Sequence, residues 1–257
     1  MTKHYRKAAS HTLIRSLTAW LIFSLSSAAM GDTVASPEAT PPIPLHPYRA
    51  EYQISHNGLS TVAKRELARR GEHWVLSQNA RIFFLKVDEE ALIETTDSGL
   101  RPLRYDYENS VSSKRNQRIR FDWQRNTVAD KKARKPWSFE LKDNYTDQLS
   151  SQLQLRQQLL AGSFDDNGHI EQTIISNGKI KTYRIEKLGE ESVETALGNF
   201  DTVKLRRHRE GSSSETFIWM APELNFLIVK MEQVEDDDNF SLEILKADIR
   251  PALAQQW

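Results

Sequence analysis

The seven histidines are the first residues to examine for chemistry. His4 and His11 lie in the N-terminal leader described below, which leaves His46, His56, His73, His169 and His208. A zinc site needs imidazoles at regular spacing, most simply as H-E-x-x-H, and none of the five pairs in that way. His56 and His169 fall in apparent turns and His46 between prolines, so they read as surface residues. Asp236, Asp237 and Asp238 could draw a hard cation, but neighbours in a strand face opposite sides and the D-x-D-x-D-G order is missing. Asp165-Asp166-Asn167-Gly168 reads as a turn for the same reason. The chain contains no G-x-S-x-G, P-loop or G-x-G-x-x-G, so no cofactor and no metal is expected. A hydrolase would need two carboxylates brought together in space, from residues such as Asp122 or Glu94. The expectation is that the protein is not an enzyme.

Two basic runs remain, Lys131-Lys132-Ala133-Arg134-Lys135 and the group Arg206, Arg207 and Arg209. Either could touch an anionic head group, but a charged loop and a strand with a basic outward face explain them as well. Lys plus Arg and Asp plus Glu both number 35. Four of the basic residues (Lys3, Arg6, Lys7 and Arg15) precede the first acid, Asp32, so the rest of the chain is net acidic by four. That balance argues against nucleic acid as a partner, since such binding depends on neutralising phosphates. There is no cysteine, which excludes disulfides, thiolate metal sites and lipidation of an N-terminal cysteine.

What is left is apolar. Leu149, Leu153 and Leu160 fall near one stripe of a helix. Trp74, Phe83, Phe84, Trp123, Trp137, Phe139, Trp219 and Phe226 are spread over candidate strands. Aromatics of this kind mostly fill cores, but a curved sheet lined by them and covered by a helix can also hold an apolar ligand. The candidate ligand-binding set is Leu149, Leu153, Leu160, Trp74, Phe84, Trp123 and Trp219.

The elements that must carry these residues are mainly strands. Tyr48, Ala50, Tyr52 and Ile54 alternate with polar residues, the period of a half-buried strand. The next alternation runs from His73 to Phe84, and Ile119, Phe121 and Trp123 alternate between Arg118 and Trp123. Further candidates are Ile170 to Ile175, Tyr183 to Leu188, Phe200 to Arg207, Glu215 to Met220, Phe226 to Val234 and Phe240 to Ile249. Turn residues separate them at His56-Asn57-Gly58, Asp97-Ser98-Gly99, Asn177-Gly178, Leu197-Gly198-Asn199 and Asp236-Asp237-Asp238-Asn239. One segment, about 143–161, has helical leucine spacing, with Asp143 or Thr146 to cap it and Gly162 to end it. The expected fold is therefore mainly β (α+β): a single curved antiparallel sheet, barrel-like or half-barrel, with one main amphipathic helix packed on it.

The N-terminus reads as an export signal. A basic stretch precedes the apolar run Leu17 to Leu25, and Ser27 and Ala29 have the small-residue spacing of a cleavage site. That run is about half the ~20 residues a bilayer-spanning helix requires. The expected layout is a signal peptide over 1–29 cleaved near Ala29, a Pro-rich leader over 30–47, one β-rich domain over 48–250 and a short tail over 251–257. No later segment is long and apolar enough to span a membrane, so the mature chain is expected in the periplasm without an integral span.

Several segments carry a resemblance to a known family. They are Tyr52-Gln53-Ile54-Ser55-His56-Asn57-Gly58-Leu59, Phe121-Asp122-Trp123, Asp147-Gln148-Leu149-Ser150-Ser151-Gln152-Leu153, Leu197-Gly198-Asn199-Phe200-Asp201-Thr202-Val203 and Trp219-Met220-Ala221-Pro222-Glu223-Leu224. In this order the chain resembles the bacterial domain of unknown function family 3108, from about Tyr48 to Ile249. The resemblance implies an exported, predominantly antiparallel β-protein of the envelope and no activity. The expected role is binding an apolar or amphipathic envelope component, such as a lipid or a lipoprotein acyl chain, in a large cavity between sheet and helix. The alternatives are a scaffold that binds an envelope protein and a hydrolase of an envelope polymer.

Overall fold

A computed structural model describes residues 45–56, 58–82, 84–162, 164, 168–235 and 238–249. The expected signal peptide, most of the leader, Asn57, Phe83, the Asp165–Asn167 turn, Asp236, Asp237 and the C-terminal tail lie outside the described residues. The chain first builds a meander: β1 (Tyr48–His56), β2 (Leu59–Arg70), β3 (His73–Ile82), β4 (Leu85–Thr96) and β5 (Gly99–Asn109). It continues through β6 (Gln117–Asp122), β7 (Thr127–Asp130) and β8 (Trp137–Glu140). The two-residue β9 (Tyr145–Thr146) leads into the helix α1 (Gln148–Leu160). A second meander returns through β10 (His169–Ser176), β11 (Lys179–Thr195), β12 (Gly198–His208), β13 (Glu215–Ala221), β14 (Leu227–Glu235) and β15 (Asp238–Ile249).

All fifteen strands join one sheet, because β15 pairs with β1 and so splices the two meanders back to back. Pairing is antiparallel except at one edge, where β9 runs parallel to β10. The sheet is thus mixed, where the sequence suggested a purely antiparallel one. Tyr145 and Thr146 are buried and pair with Thr173 and Ile174. Register shifts at Glu51/Tyr52, Leu92/Ile93, Lys187/Gly189 and Trp219/Met220 add bulges that sharpen twist and curvature.

The curvature brings the two ends of the strip together. The backbone amide of Asn177, in the β10–β11 turn, donates to Gln117 Oε1 on β6 at 2.7 Å. The adjacent Gly178 lies so close to Trp137 of β8 that a Cβ there would stand 2.9 Å from the indole. Asn177 and Gly178 both have positive φ (51° and 66°), as a tight hairpin turn between twisted strands requires. The sheet is open as a hydrogen-bonded ladder, yet its ends meet through side chains.

The helix fills the concave side. It begins at Gln148, five residues after the expected start, because 143–147 is spent on the turn, β9 and the cap. Asp147 caps it, accepting from the amides of Leu149 and Ser150 at 2.9 and 2.8 Å and from Ser150 Oγ at 2.6 Å. Gly162, at φ 66°, follows its last turn as expected. The helix departs from the amphipathic expectation: none of its residues is exposed. Ser150, Ser151 and Arg156 are as buried as Leu149, Leu153, Leu155 and Leu159. Its polar side chains bond mostly within the helix or to nearby backbone: Ser151 Oγ and Gln152 Nε2 donate to the Gln148 carbonyl, Gln154 Nε2 to the Leu100 carbonyl of β5, and Arg156 Nε to the Asn225 carbonyl.

Candidate functional site

The space between α1 and the sheet is the natural place to look for a site. Leu153 and Arg156 face Tyr48, Arg65, Leu76, Met220 and Ile228, together with Phe226 from the β13–β14 connection. The room left among them is about 10 Å³, roughly what one water occupies. The large cavity expected from the sequence is therefore not preformed, because the helix leucines occupy the volume that a ligand chain would take.

The placement of the seven candidate residues follows from this packing. Leu149 and Leu153 are fully enclosed (0% and 2% exposed), and Leu160 is half-buried at the helix end. Trp74 is buried on the inward face of β3, opposite Ile93, with the Arg69 guanidinium 5.8 Å from its ring centroid. The other three aromatics are not gathered around the helix. Phe84 is in the β3–β4 turn and 84% exposed. The strand ends at Ile82, so the alternation that would carry Phe84 inward stops before reaching it. Trp123 follows the end of β6, donating from Nε1 to the Pro102 carbonyl at 2.7 Å, with Arg101 over its ring. Trp219 lies on the face opposite Met220, held between the ammonium groups of Lys204 and Lys230 at 4.9 and 4.8 Å. In β13 the residues of both parities are apolar, so alternation could not tell inward from outward.

The structure adds polar residues that the sequence reading passed over. Arg65 and Arg156 are both 4% exposed and line the same small space. Arg65 directs Nε and Nη2 at Gln78 Oε1, the former at 2.9 Å, and lies over the Tyr52 ring. Arg156 donates from Nε to the Asn225 carbonyl at 2.6 Å and lies 5.2 Å from the centroid of the Tyr48 ring. Burial lowers its pKa, and the groups that oppose the shift are the phenols of Tyr48 and Tyr52, not carboxylates. The Tyr52 hydroxyl is completely enclosed without a protein partner, and burial raises its pKa. Tyr105 donates to Glu89 Oε1; burial, together with that carboxylate, holds its phenol far above the ordinary range. Burial likewise raises the Glu89 carboxyl, and it pushes Asp147 up to about 6 in spite of the three donors at the helix cap. One of these residues carried a readable signal: Arg156 stands at the i+3 position from Leu153, inside the Leu149/Leu153/Leu160 stripe.

The carboxylates considered for hydrolysis are engaged elsewhere. Glu94 Oε1 accepts from Arg101 Nε at 2.6 Å. Asp122 accepts from the backbone and side chain of Arg125, bonds that hold its pKa below the usual value. Among the described residues no group of three His, Asp or Glu is placed to hold a metal. The basic group on β12 is divided between the two faces. Arg206 pairs with Glu186 and Glu215, whereas Arg207 turns to Thr216 and the Tyr183 ring.

Residues 48–244 match the family described as Protein of unknown function (DUF3108). The chain belongs to this family. Among curated proteins none matches. The DUF3108 chain is similar in structure to a beta-barrel-like protein of the DUF1849 domain of unknown function from Brucella abortus. The TM-score is 0.56 at 12% identity, over 80% of this chain and 99% of the other. That similarity supports the barrel-like curvature and says nothing of activity. A lipoprotein candidate from Parabacteroides distasonis aligns over 81% of this chain and 97% of its own at 12% identity. Its TM-score of 0.31 is too low to support an argument. No helix among the described residues is long and apolar enough to cross a membrane.

Proposed function

We propose that this DUF3108 protein is a non-enzymatic periplasmic binding protein, in which α1 is a displaceable plug over an apolar site for an amphipathic envelope component such as a lipid or acyl chain. One observation carries the reading. The helix takes no part in the sheet's ladder, and its leucines cover a concave surface of Tyr48, Leu76, Met220, Leu227 and Ile228. Displacing the helix would turn that surface into an apolar trough, whereas leaving it in place admits little more than a water. The basic and then apolar N-terminus supports export, and the ion-paired state of Glu94 and Asp122 favours binding over hydrolysis.

Native mass spectrometry of the chain purified gently from periplasm, followed by solvent extraction, tests the reading. A co-purifying amphipath is expected. A bare protein mass, together with no uptake of added dodecanoate or methyl dodecanoate, would contradict it.

A second reading has its own observation. At one end of the sheet Leu59 opens β2, Phe84 sits in the β3–β4 turn and Val111 in the β5–β6 connection, exposed by 58%, 84% and 55%. An apolar rim of this kind suits a protein partner. Under that reading Phe84→Ser abolishes partner cross-linking in cells and leaves the extracted small molecules unchanged.

A further inference from the structure

We infer that Arg156 is the recognition point for the anionic head, a carboxylate or a phosphate, of the amphipath whose chain would lie against Leu153, Met220 and Ile228. This rests on the binding role proposed above and specifies its ligand class. Arg156 occupies a leucine position in the helix stripe, so a purely structural core would place an apolar side chain there. The guanidinium is instead enclosed and, among the described residues, forms no salt bridge, and its Nη1 has no protein acceptor. A buried cation without a counter-charge is destabilising unless a ligand supplies one. Arg65 lines the same space, and its side-chain acceptor there is Gln78 Oε1, a neutral group. Two guanidiniums converging on one apolar pocket are complementary to a single anion, and a guanidinium fork matches carboxylate and phosphate oxygens.

The partner that Arg156 does have explains how the head could open the site. Its Nε bond goes to the carbonyl of Asn225, and Asn225 and Phe226 both hold positive φ, 52° and 56°. For phenylalanine that conformation is strained. An anion that takes the guanidinium competes with the Asn225 carbonyl, which unties the helix from this turn. Head-group capture and displacement of the plug are then one event.

The test titrates dodecanoate, dodecyl phosphate, methyl dodecanoate and inorganic phosphate into the full chain, below micelle-forming concentrations, followed by tryptophan fluorescence and calorimetry. Both anionic amphipaths are expected to bind at least about tenfold tighter than the ester, as a charge-assisted bond implies. Arg156→Gln should remove that preference, and Arg156→Lys, which keeps the charge but not the fork, should retain only part of it. Equal affinity for ester and anion in the wild type, or a preference that persists in Arg156→Gln, overturns the inference and leaves the binding role standing. Binding of none of the amphipaths overturns the binding role itself. Inorganic phosphate binding as tightly as dodecyl phosphate makes the site one for a free anion and overturns the amphipath. If Arg156→Gln does not fold, the head-group comparison in the wild type decides alone.

Discussion

Asp147 has two opposed duties: its carboxylate caps α1, and it does so with no exposure to water. Burial raises its pKa from 3.8 to about 6, so the folded chain holds a proton that the unfolded chain gives up between those values. Its contribution to stability is complete below 3.8 and is lost as pH rises through about 6. A shift of that size corresponds to about 3 kcal/mol. Asn is as good a cap as Asp and does not titrate. Chemical denaturation should therefore show wild-type stability rising from pH 7.5 to pH 5 by more than it does in Asp147→Asn. Equal pH slopes in the two proteins would contradict the assignment. Glu89 shifts in the same direction, so Glu89→Gln should remove a further part of the slope.

At the scale of elements, the helix and the sheet ends hold the architecture together. Leu149 is completely enclosed, and Leu149→Ala should cost about 2–5 kcal/mol by leaving a cavity under the helix. Urea unfolding checks this, and a loss below 1 kcal/mol would mean that the helix packs loosely. Gly178→Ala tests closure of the sheet. The added methyl meets Trp137 and the positive φ disfavours any side chain, so a loss of about 2 kcal/mol is expected. A neutral Gly178→Ala would show that the two ends are not pressed together. Much of this level was legible in the sequence. Period-2 alternation located β1, β3 and β6, and the Asn177-Gly178 turn was evident from its residues. β2, β4 and β5 were marked only by the turns beside them, and the short β7, β8 and β9 escape notice because two to four residues cannot display a period. The burial of Ser150, Ser151 and Arg156 in α1 was also hidden. Its glutamines and serines read as a solvent face, and only the curl of distant strands around it brings them inside.

At the scale of the molecule, two meanders spliced at β1–β15 form a trough, and one helix occupies it. Alternation and turn residues indicated a β-protein, but the site depended on contacts between residues far apart in the chain. Tyr48 and Arg65 come from the first meander, Leu153 and Arg156 from the helix, and Met220 and Ile228 from the second. Aromatic content pointed to Phe84 and Trp219, whose burial and facing depend on where strands end and which parity is inward. The most direct test of the account is photo-crosslinking of the full chain with a diazirine-bearing fatty acid, followed by peptide mapping. The account predicts label on the α1 peptide around Leu153 and on the β13–β14 segment from Met220 to Ile228. Label confined to the Phe84 and Val111 rim, or to the outward face around Trp219, would contradict it.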